Sequence, residues 1–408
     1  MTEMLSSDLV RKITQNVTVP LVFRNFISDW PLCQWDMEKW CSAFGNKEVP
    51  FRCLRKHLVS DEPSWERKCV VKSITFKDFI TQSPKSEQWM YFDYKHLPQW
   101  FDENAEFLKE VSWQKFGYPD KGAADSTLWV GSSGAMIFHL SNILVQYAFD
   151  ILLTLNSRKR WILFPPESGG MKPTRVPYEE SSIYSDLNFY CPNNMEAFNG
   201  LSGGLTVELC AGDALVVPRG WWHYVQNVDS VNITLNMWLP HEKDNSTRVS
   251  EALTKIMVAQ VCKDLPQDTA KLLVNPNEDD LSDTPLAVLF LQLESVTKSY
   301  LDSRRKLRRI KRQRTCDDEA NPRDIETFDL QDVLKDHKNL EVPPTITAEE
   351  LIDLLKRNVR EFANTGVSFD EDEIDGTRSL CLTKAVIDAF SDSNVIELVK
   401  QNLFSRLK

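Results

Sequence analysis

AGDALVVPRGWWHYVQNVDSVNITLNMWLP occupies residues 211–240. Ala-Gly-Asp makes a tight turn and ALVVP has the branched, apolar content of a strand. Pro218 and Gly220 then turn the chain, and His223 opens a second strand behind two tryptophans. In the third run, VNITLNMWL, the alternation is clean. Val231, Ile233, Leu235, Met237 and Leu239 fall on one face, and Asn232, Thr234, Asn236 and Trp238 on the other. This pattern predicts a half-buried strand. Several such strands at short spacing imply a barrel or sandwich rather than a parallel sheet.

Upstream, LWVG and RWILFPP from about residue 129 extend the strand-rich region, as does LTVELC before the opening stretch. The first 128 residues mix short helical and extended patterns. PLVF begins a strand-like run at residue 20, and DMEKWCSAFG has helical spacing with Gly45 as its stop. After Pro240 the character turns helical. Val249, Leu253, Ile256 and Met257 recur at three- and four-residue steps, and LAVLFLQLESV is a second apolar candidate. A basic run, RRKLRRIKRQR at 304–314, precedes an acidic, proline-containing stretch. Thr347 and Glu350 make a capping box before an amphipathic helix.

The predicted organisation is therefore a mixed α/β segment packing on the barrel (1–128), the barrel core (129–245), a helical extension (246–302), a charged linker (303–344) and a small helical unit (345–408). FDEDEIDG at 369–376 has the acidity of a calcium loop, but Ile374 stands where an oxygen ligand is needed, so an acidic surface is the reading adopted.

Composition narrows the function classes. A 408-residue chain that is 42% hydrophobic can bury a large core. Its net charge of −11 argues against general affinity for nucleic acid or anionic membrane, since both are normally held by basic surfaces. The nine cysteines are scattered singly, without a CxxC pair, which fits a reducing compartment and indicates neither a zinc ribbon nor a disulfide framework. The N-terminal stretch shows no apolar signal core, so a cytoplasmic protein is expected. Residues 135–155 have the length of a membrane span, but His139, Asn142, Gln146 and Asp150 would be costly in hydrocarbon.

His223 is the residue most suggestive of chemistry. An imidazole fixed on a strand and shielded by tryptophans suits a metal, because its orientation is set and water is limited. Taken alone, a histidine in such a place is more often a packed core residue.

The run GDALVVPRGWWHYVQNVDSVNITLNMW, together with LWVGSSGA, RKRWILFPP and PLVFRNFISDWP, resembles the JmjC branch of cupin-fold proteins over about residues 15–260. The resemblance implies a mixed α+β chain built on a double-stranded β-helix (cupin or jelly-roll) barrel, with flanking helices and a helical C-terminal region. Many members are Fe(II)- and 2-oxoglutarate-dependent oxygenases. Within the branch, RKRWILFPP, PTRVPYEESSIYSDLN and PRGWWHYV most resemble a group associated with small heat-shock proteins. That group implies a small heat-shock protein as partner and a role in stress responses.

Carried over by position, the resemblance implies His139 and His223 as metal ligands, with Lys159 and Asn236 as residues that hold 2-oxoglutarate. Family iron sites use two imidazoles and one carboxylate, which leave positions open for co-substrate and oxygen. Ser141 stands where the carboxylate belongs, and a neutral hydroxyl is a weak ligand, so iron binding is expected to be poor. Met136 stands where members often place a threonine that bonds 2-oxoglutarate. Lys159 lies twenty positions after His139, farther than the family's usual spacing. Family-like residues stop near Ala135 and resume near Arg158. Either the site has decayed, or residues 136–157 are an alternative segment.

Asp150 is the nearest acid after His139, and the strand-like sequence between them is expected to keep it away from that histidine. Lys159 has its own plain alternative, a solvated lysine at a strand end. The sequence thus implies a barrel protein with a degraded iron site and no assigned catalytic residue, acting as an interaction partner. The competing reading is an active hydroxylase of protein side chains. The basic run adds a nuclear-targeting or anion-binding reading, against a solvated helix face.

Overall fold

The computed structural model describes residues 5–56, 59–60, 63, 69–102, 105–140, 149–173, 184–239, 244–266, 269–270, 273, 284–317, 329–362 and 377–407. In chain order the strands are β1 (Leu21–Phe23), β2 (Glu48–Arg55), β3 (Val70–Thr75), β4 (Gln88–His96), β5 (Thr127–Gly131), β6 (Met136–Leu140) and β7 (Phe149–Asn156). These are followed by β8 (Lys159–Phe164), β9 (Leu205–Leu209), β10 (Ala214–Pro218), β11 (Trp222–Asn227), β12 (Asn232–Leu239) and β13 (Leu340–Glu341). They form two sheets. A nine-stranded sheet runs β13-β1-β10-β7-β12-β5-β4-β2-β3, and a four-stranded sheet runs β6-β11-β8-β9. Every pair of neighbouring strands is antiparallel. From β5 to β12 the chain alternates between the sheets, except where the β8–β9 pair shares one.

Strand periodicity assigns each sheet an inner and an outer face. Between the sheets, Leu152, Trp161, Leu163, Val207, Leu209, Leu215, Val217 and Val225 share one apolar cluster. The outer face of the large sheet, carrying Ile151, Leu153, Ile233, Leu235 and Met237, is covered by the N-terminal region through Val10, Ile13, Phe23, Trp35, Trp40 and Phe116. There the helix Ser7–Asn16 is capped by Ser6, and Met37–Phe44 is capped by Asp36 and ended by Gly45 at φ 61°.

The alternation read in 231–239 is correct in period but not in environment. β12 is not half-buried: it lies between β7 and β5, seven of its eight residues are buried, and Trp238 alone is intermediate. Its polar face looks into the space between the sheets instead of into water. The turn before β10 needs Gly212, whose φ of +94° is in the left-handed region and whose missing Cβ leaves room for Ser28. Residues read as a membrane-length run instead supply β6 and β7, and among the described residues no helix is long and apolar enough to cross a membrane.

The outer face of the small sheet is covered by a late part of the chain. Leu351, Leu354 and Leu355 of the helix Ala348–Phe362 pack on Ile162, Phe164, Trp222 and Tyr224. The capping box is present: the Thr347 amide donates to Glu350, and the Glu350 amide donates to the Thr347 hydroxyl. The segment leading to this helix is a strap. The Arg24 amide donates to the Asn339 carbonyl, β13 pairs with β1, the Thr206 amide donates to the Pro344 carbonyl, and the Ile346 amide donates to the Gly204 carbonyl. Arg24 ties three parts together, donating to Asp213 at 2.6 Å, to Glu341 at 2.7 and 2.9 Å, and to the Glu208 carbonyl at 3.0 Å.

Four further helices, Asp244–Cys262, Leu286–Asp317, Thr377–Phe390 and Ser393–Arg406, share contacts around Val258, Ala259, Cys262, Leu273, Leu289 and Ile387. The basic run at 304–314 lies on the helix Leu286–Asp317, so this part of the charged stretch is helical through Asp317. The acidic FDEDEIDG motif lies outside the described residues.

Candidate functional site

The space between the sheets narrows to a hollow lined by Tyr91 (β4), Trp129 (β5), Asp150 and Leu152 (β7), Lys159 and Trp161 (β8), His223 and Val225 (β11) and Trp238 (β12). Each strand contributes its inward alternation, so residues scattered over 148 positions meet in one place. His223 is buried at 3% exposure, with its ring beside Trp161 at a centroid distance of 5.5 Å. Its Nδ1 lies 3.3 Å from the Trp221 carbonyl, which fixes the ring orientation. Burial pushes its pKa down to about 4, so the imidazole is neutral near pH 7.

Lys159 is not the solvated strand-end lysine of the plain reading; it is 3% exposed. Its ammonium donates to the Thr234 hydroxyl at 2.8 Å and to the Tyr91 hydroxyl at 3.3 Å. Desolvation lowers its pKa to about 7, opposed by the charges of Asp150 and Asp93. Asp93, paired with Arg52, lies on β4 like Tyr91.

Asp150, which the sequence reading keeps away from His139, lies on β7. It is 5% exposed and faces the same hollow as His223 and Lys159. The physical reason is topological: β6 and β7 belong to opposite sheets, so residues far apart along the chain can face each other across the interior. Asp150 stands opposite Trp238 on one side and Val217 on the other. The Asn236 amide donates to its Oδ1 at 2.9 Å, and the Trp238 side chain also bonds to it. Burial nevertheless raises the carboxyl to about 8, with those bonds and Lys159 pulling it back. Burial thus works against the charged form of both groups in the hollow.

Asn236 is fully buried and stands behind the wall of the hollow. It accepts from the Trp129 indole at 2.8 Å and donates to Asp150. His139 has its backbone directly opposite His223 in the β6–β11 pair. The position of its side chain, like Ser141 altogether, lies outside the described residues. Of the four predicted site residues, the structure thus brings His223 and Lys159 to one hollow, places Asn236 one step behind it, and puts His139 on the neighbouring strand.

Sequence reasoning missed Tyr91, Trp129, Asp150, Thr234 and Trp238. Thr234 and Trp238 lie on the polar face of the alternation already read in β12, and that face was the available signal. Asp150 is a lone acid in the apolar run FDILLTLN, which is the other.

Of the ligands a facial iron site would use, the described side chains supply His223 and the Asp150 carboxyl, and the side chain of His139 lies outside them. A facial iron site needs two imidazoles and a free anionic carboxylate. The Asp150 carboxyl accepts from Asn236 and Trp238, and among the described residues no group of three His, Cys, Asp or Glu side chains could hold a metal. The free volume of the hollow is about 20 Å³, room for about one water molecule.

Two facing antiparallel sheets closed around a buried polar hollow define the class, and residues 8–245 match the family described as Cupin-like domain; the chain belongs to that family, in its JmjC type. It is similar to HSPB1-associated protein 1 homolog of Danio rerio, 35% identical over 301 residues, covering 69% of this chain and 66% of the relative. It is also similar to HSPB1-associated protein 1 of Homo sapiens, 32% identical over 309 residues, covering 72% of this chain and 62% of the relative. Lysine-specific demethylase JMJ21 of Arabidopsis thaliana is 28% identical over 242 residues, covering 53% of this chain and 23% of that one. The chain thus spans less than two thirds of the length of the human relative and 66% of the zebrafish one.

Proposed function

We propose that this is a JmjC-like double-stranded β-helix protein whose interior no longer supports iron chemistry, and that it works by binding a small heat-shock protein in the cellular stress response. The observation that carries the reading is the self-filled hollow. Asn236 and Trp238 each bond Asp150, Lys159 bonds Thr234 and Tyr91, and the space left is that of about one water molecule. Support for the partner comes from the relatives named for association with HSPB1. The cytoplasm is the proposed location, with nuclear delivery by the basic run at 304–314 as an addition.

A second reading has its own support. Lys159 and His223 line one hollow with Asn236 behind it, which is the arrangement an active Fe(II)/2-oxoglutarate protein hydroxylase would need on its co-substrate side. Mn(II) titration of the purified chain separates the two. The binding reading expects no tight Mn(II) uptake and no 2-oxoglutarate turnover. It also expects small heat-shock protein binding to be unchanged in His223→Ala. Tight uptake with turnover would establish the hydroxylase reading instead. The Ser141→Asp chain adds a further measurement: recovered Mn(II) affinity locates the defect at that residue, whereas no recovery means that more than Ser141 is at fault.

A further inference from the structure

β3 closes one end of the nine-stranded sheet and, among the described residues, pairs with β2 alone. Strand parity fixes where its backbone points. The Lys56 amide donates to the Glu87 carbonyl at 2.8 Å, continuing the β2–β4 ladder in which Arg52 opposes Tyr91 and Leu54 opposes Trp89. Arg52, Leu54 and Lys56 therefore bond towards β4, and Val49, Phe51 and Cys53 bond towards β3. Pro50 agrees with this parity, since it has no N–H and its pairing with Ser73 then needs none. Val70, Lys72 and Ile74, opposite Cys53, Phe51 and Val49, direct their N–H and C=O groups to β2. Val71 and Ser73 turn theirs to the free edge.

Most devices that blunt an edge strand are missing here. β3 runs for six residues without a proline or a bulge, and Val70 is 59% and Val71 60% exposed. Successive residues of a strand face opposite sides, so apolar surface is open on both faces of the edge. The device present is Lys72, which is exposed and donates to the Gln88 side-chain oxygen at 2.6 Å. That acceptor is neutral, and the bond leaves the charge uncompensated. In sequence, RKCVVKSITFK at 67–77 holds four basic residues and no acidic one, although the whole chain carries −11. Pairing with a second copy would bring two such basic stretches together, whereas an acidic strand neutralises one.

We propose that β3 is a docking edge for an extended acidic segment of a partner protein, which adds to the sheet as a further strand. Val71 and Ser73 supply the backbone hydrogen bonds, and the side chains supply the selection. An acid of the incoming strand stands across from Lys72, in a pair whose backbones do not bond each other and whose side chains are therefore close. Two positions to either side of that acid, β-branched side chains face Val70 and Ile74. The recognised pattern is apolar-x-acid-x-apolar in extended form. β3 contributes no residue to the hollow, so docking here leaves that site outside the interface.

Fluorescence anisotropy of a labelled peptide, acetyl-Ser-Val-Thr-Glu-Val-Val-Thr-amide, titrated with the full chain tests the proposal. Saturable binding is expected. Ser73→Pro removes one edge N–H without touching the β2 ladder, and should weaken binding about tenfold, as for loss of a backbone hydrogen bond and the strand geometry around it. Its urea midpoint should match the parent's, which separates lost docking from lost folding. Lys72→Glu should weaken binding about fivefold by setting like charges across from each other. A second peptide, with lysine in place of the glutamate, should then bind Lys72→Glu better than it binds the parent. That exchange of preference reads charge pairing whatever the stability of the variant. No saturable binding of the first peptide below about 1 mM overturns the proposal. So does binding indifferent to Ser73→Pro, or a peptide preference that Lys72→Glu does not reverse.

Discussion

Asp150 and Lys159 show what burial does to two charges that cannot leave each other. The folded pKa of Asp150 is raised to about 8, so protonation favours folding. Its contribution is complete below the ordinary carboxyl range near pH 4 and is lost as pH rises towards 8. Lys159 is shifted the other way, down to about 7. Its cost is present below pH 7 and is relieved as pH rises towards the ordinary lysine value near 10.5. Urea midpoints should therefore fall from pH 4 to 7 in the parent chain and fall less in Asp150→Asn, which keeps a group able to bond without titrating. Lys159→Met should remove the recovery between pH 8 and 10. A midpoint in Asp150→Asn with the parental pH slope would show that the carboxyl is not the source. In the sequence, His223 was legible as a buried, oriented imidazole because its flanking tryptophans and turn are local. Asp150 was not, since its neighbours come from β12 and β8.

At the scale of elements, the strap and the helix Ala348–Phe362 belong to the stability of the two-sheet body. Leu355 is fully buried against the outer face of the small sheet. Leu355→Ala should cost about 2–5 kcal/mol, the range for a large-to-small change in a packed core, read from urea unfolding of the full chain. Ending the chain before residue 339 should do more. It uncovers Ile162, Phe164, Trp222 and Tyr224, removes β13 from the edge of β1, and leaves Arg24 without Glu341. Loss of the cooperative transition is the expected result, and a truncated chain that melts like the parent would refute it. The capping box at Thr347 announced this helix in the sequence, because a cap is a contact over three residues. The surface it covers lies between 127 and 193 positions earlier, and no local pattern records that.

For the whole molecule, charge is divided unevenly. The basic run contributes eight positive charges to a net of −11, which leaves −19 on the rest of the chain. Replacing Arg308, Arg309, Lys311 and Arg312 by Gln should shift a fluorescent fusion from nucleus to cytoplasm if the run is a targeting signal, and an unchanged distribution would end that reading. The sequence alone determined the strand periods, the turns at Gly212 and Gly220, the caps, and hence an antiparallel β body with helices after it. These follow from backbone sterics and hydrogen bonds within a few residues of each other. The tertiary structure alone decided which face of each strand is the interior. The polar side of β12 looks like a solvent face in one dimension, yet closing two sheets around it turns it into the lining of the hollow. It also decided that Asp150 joins His223 and Lys159 there, because sheet pairing sets distances in space that chain separation does not.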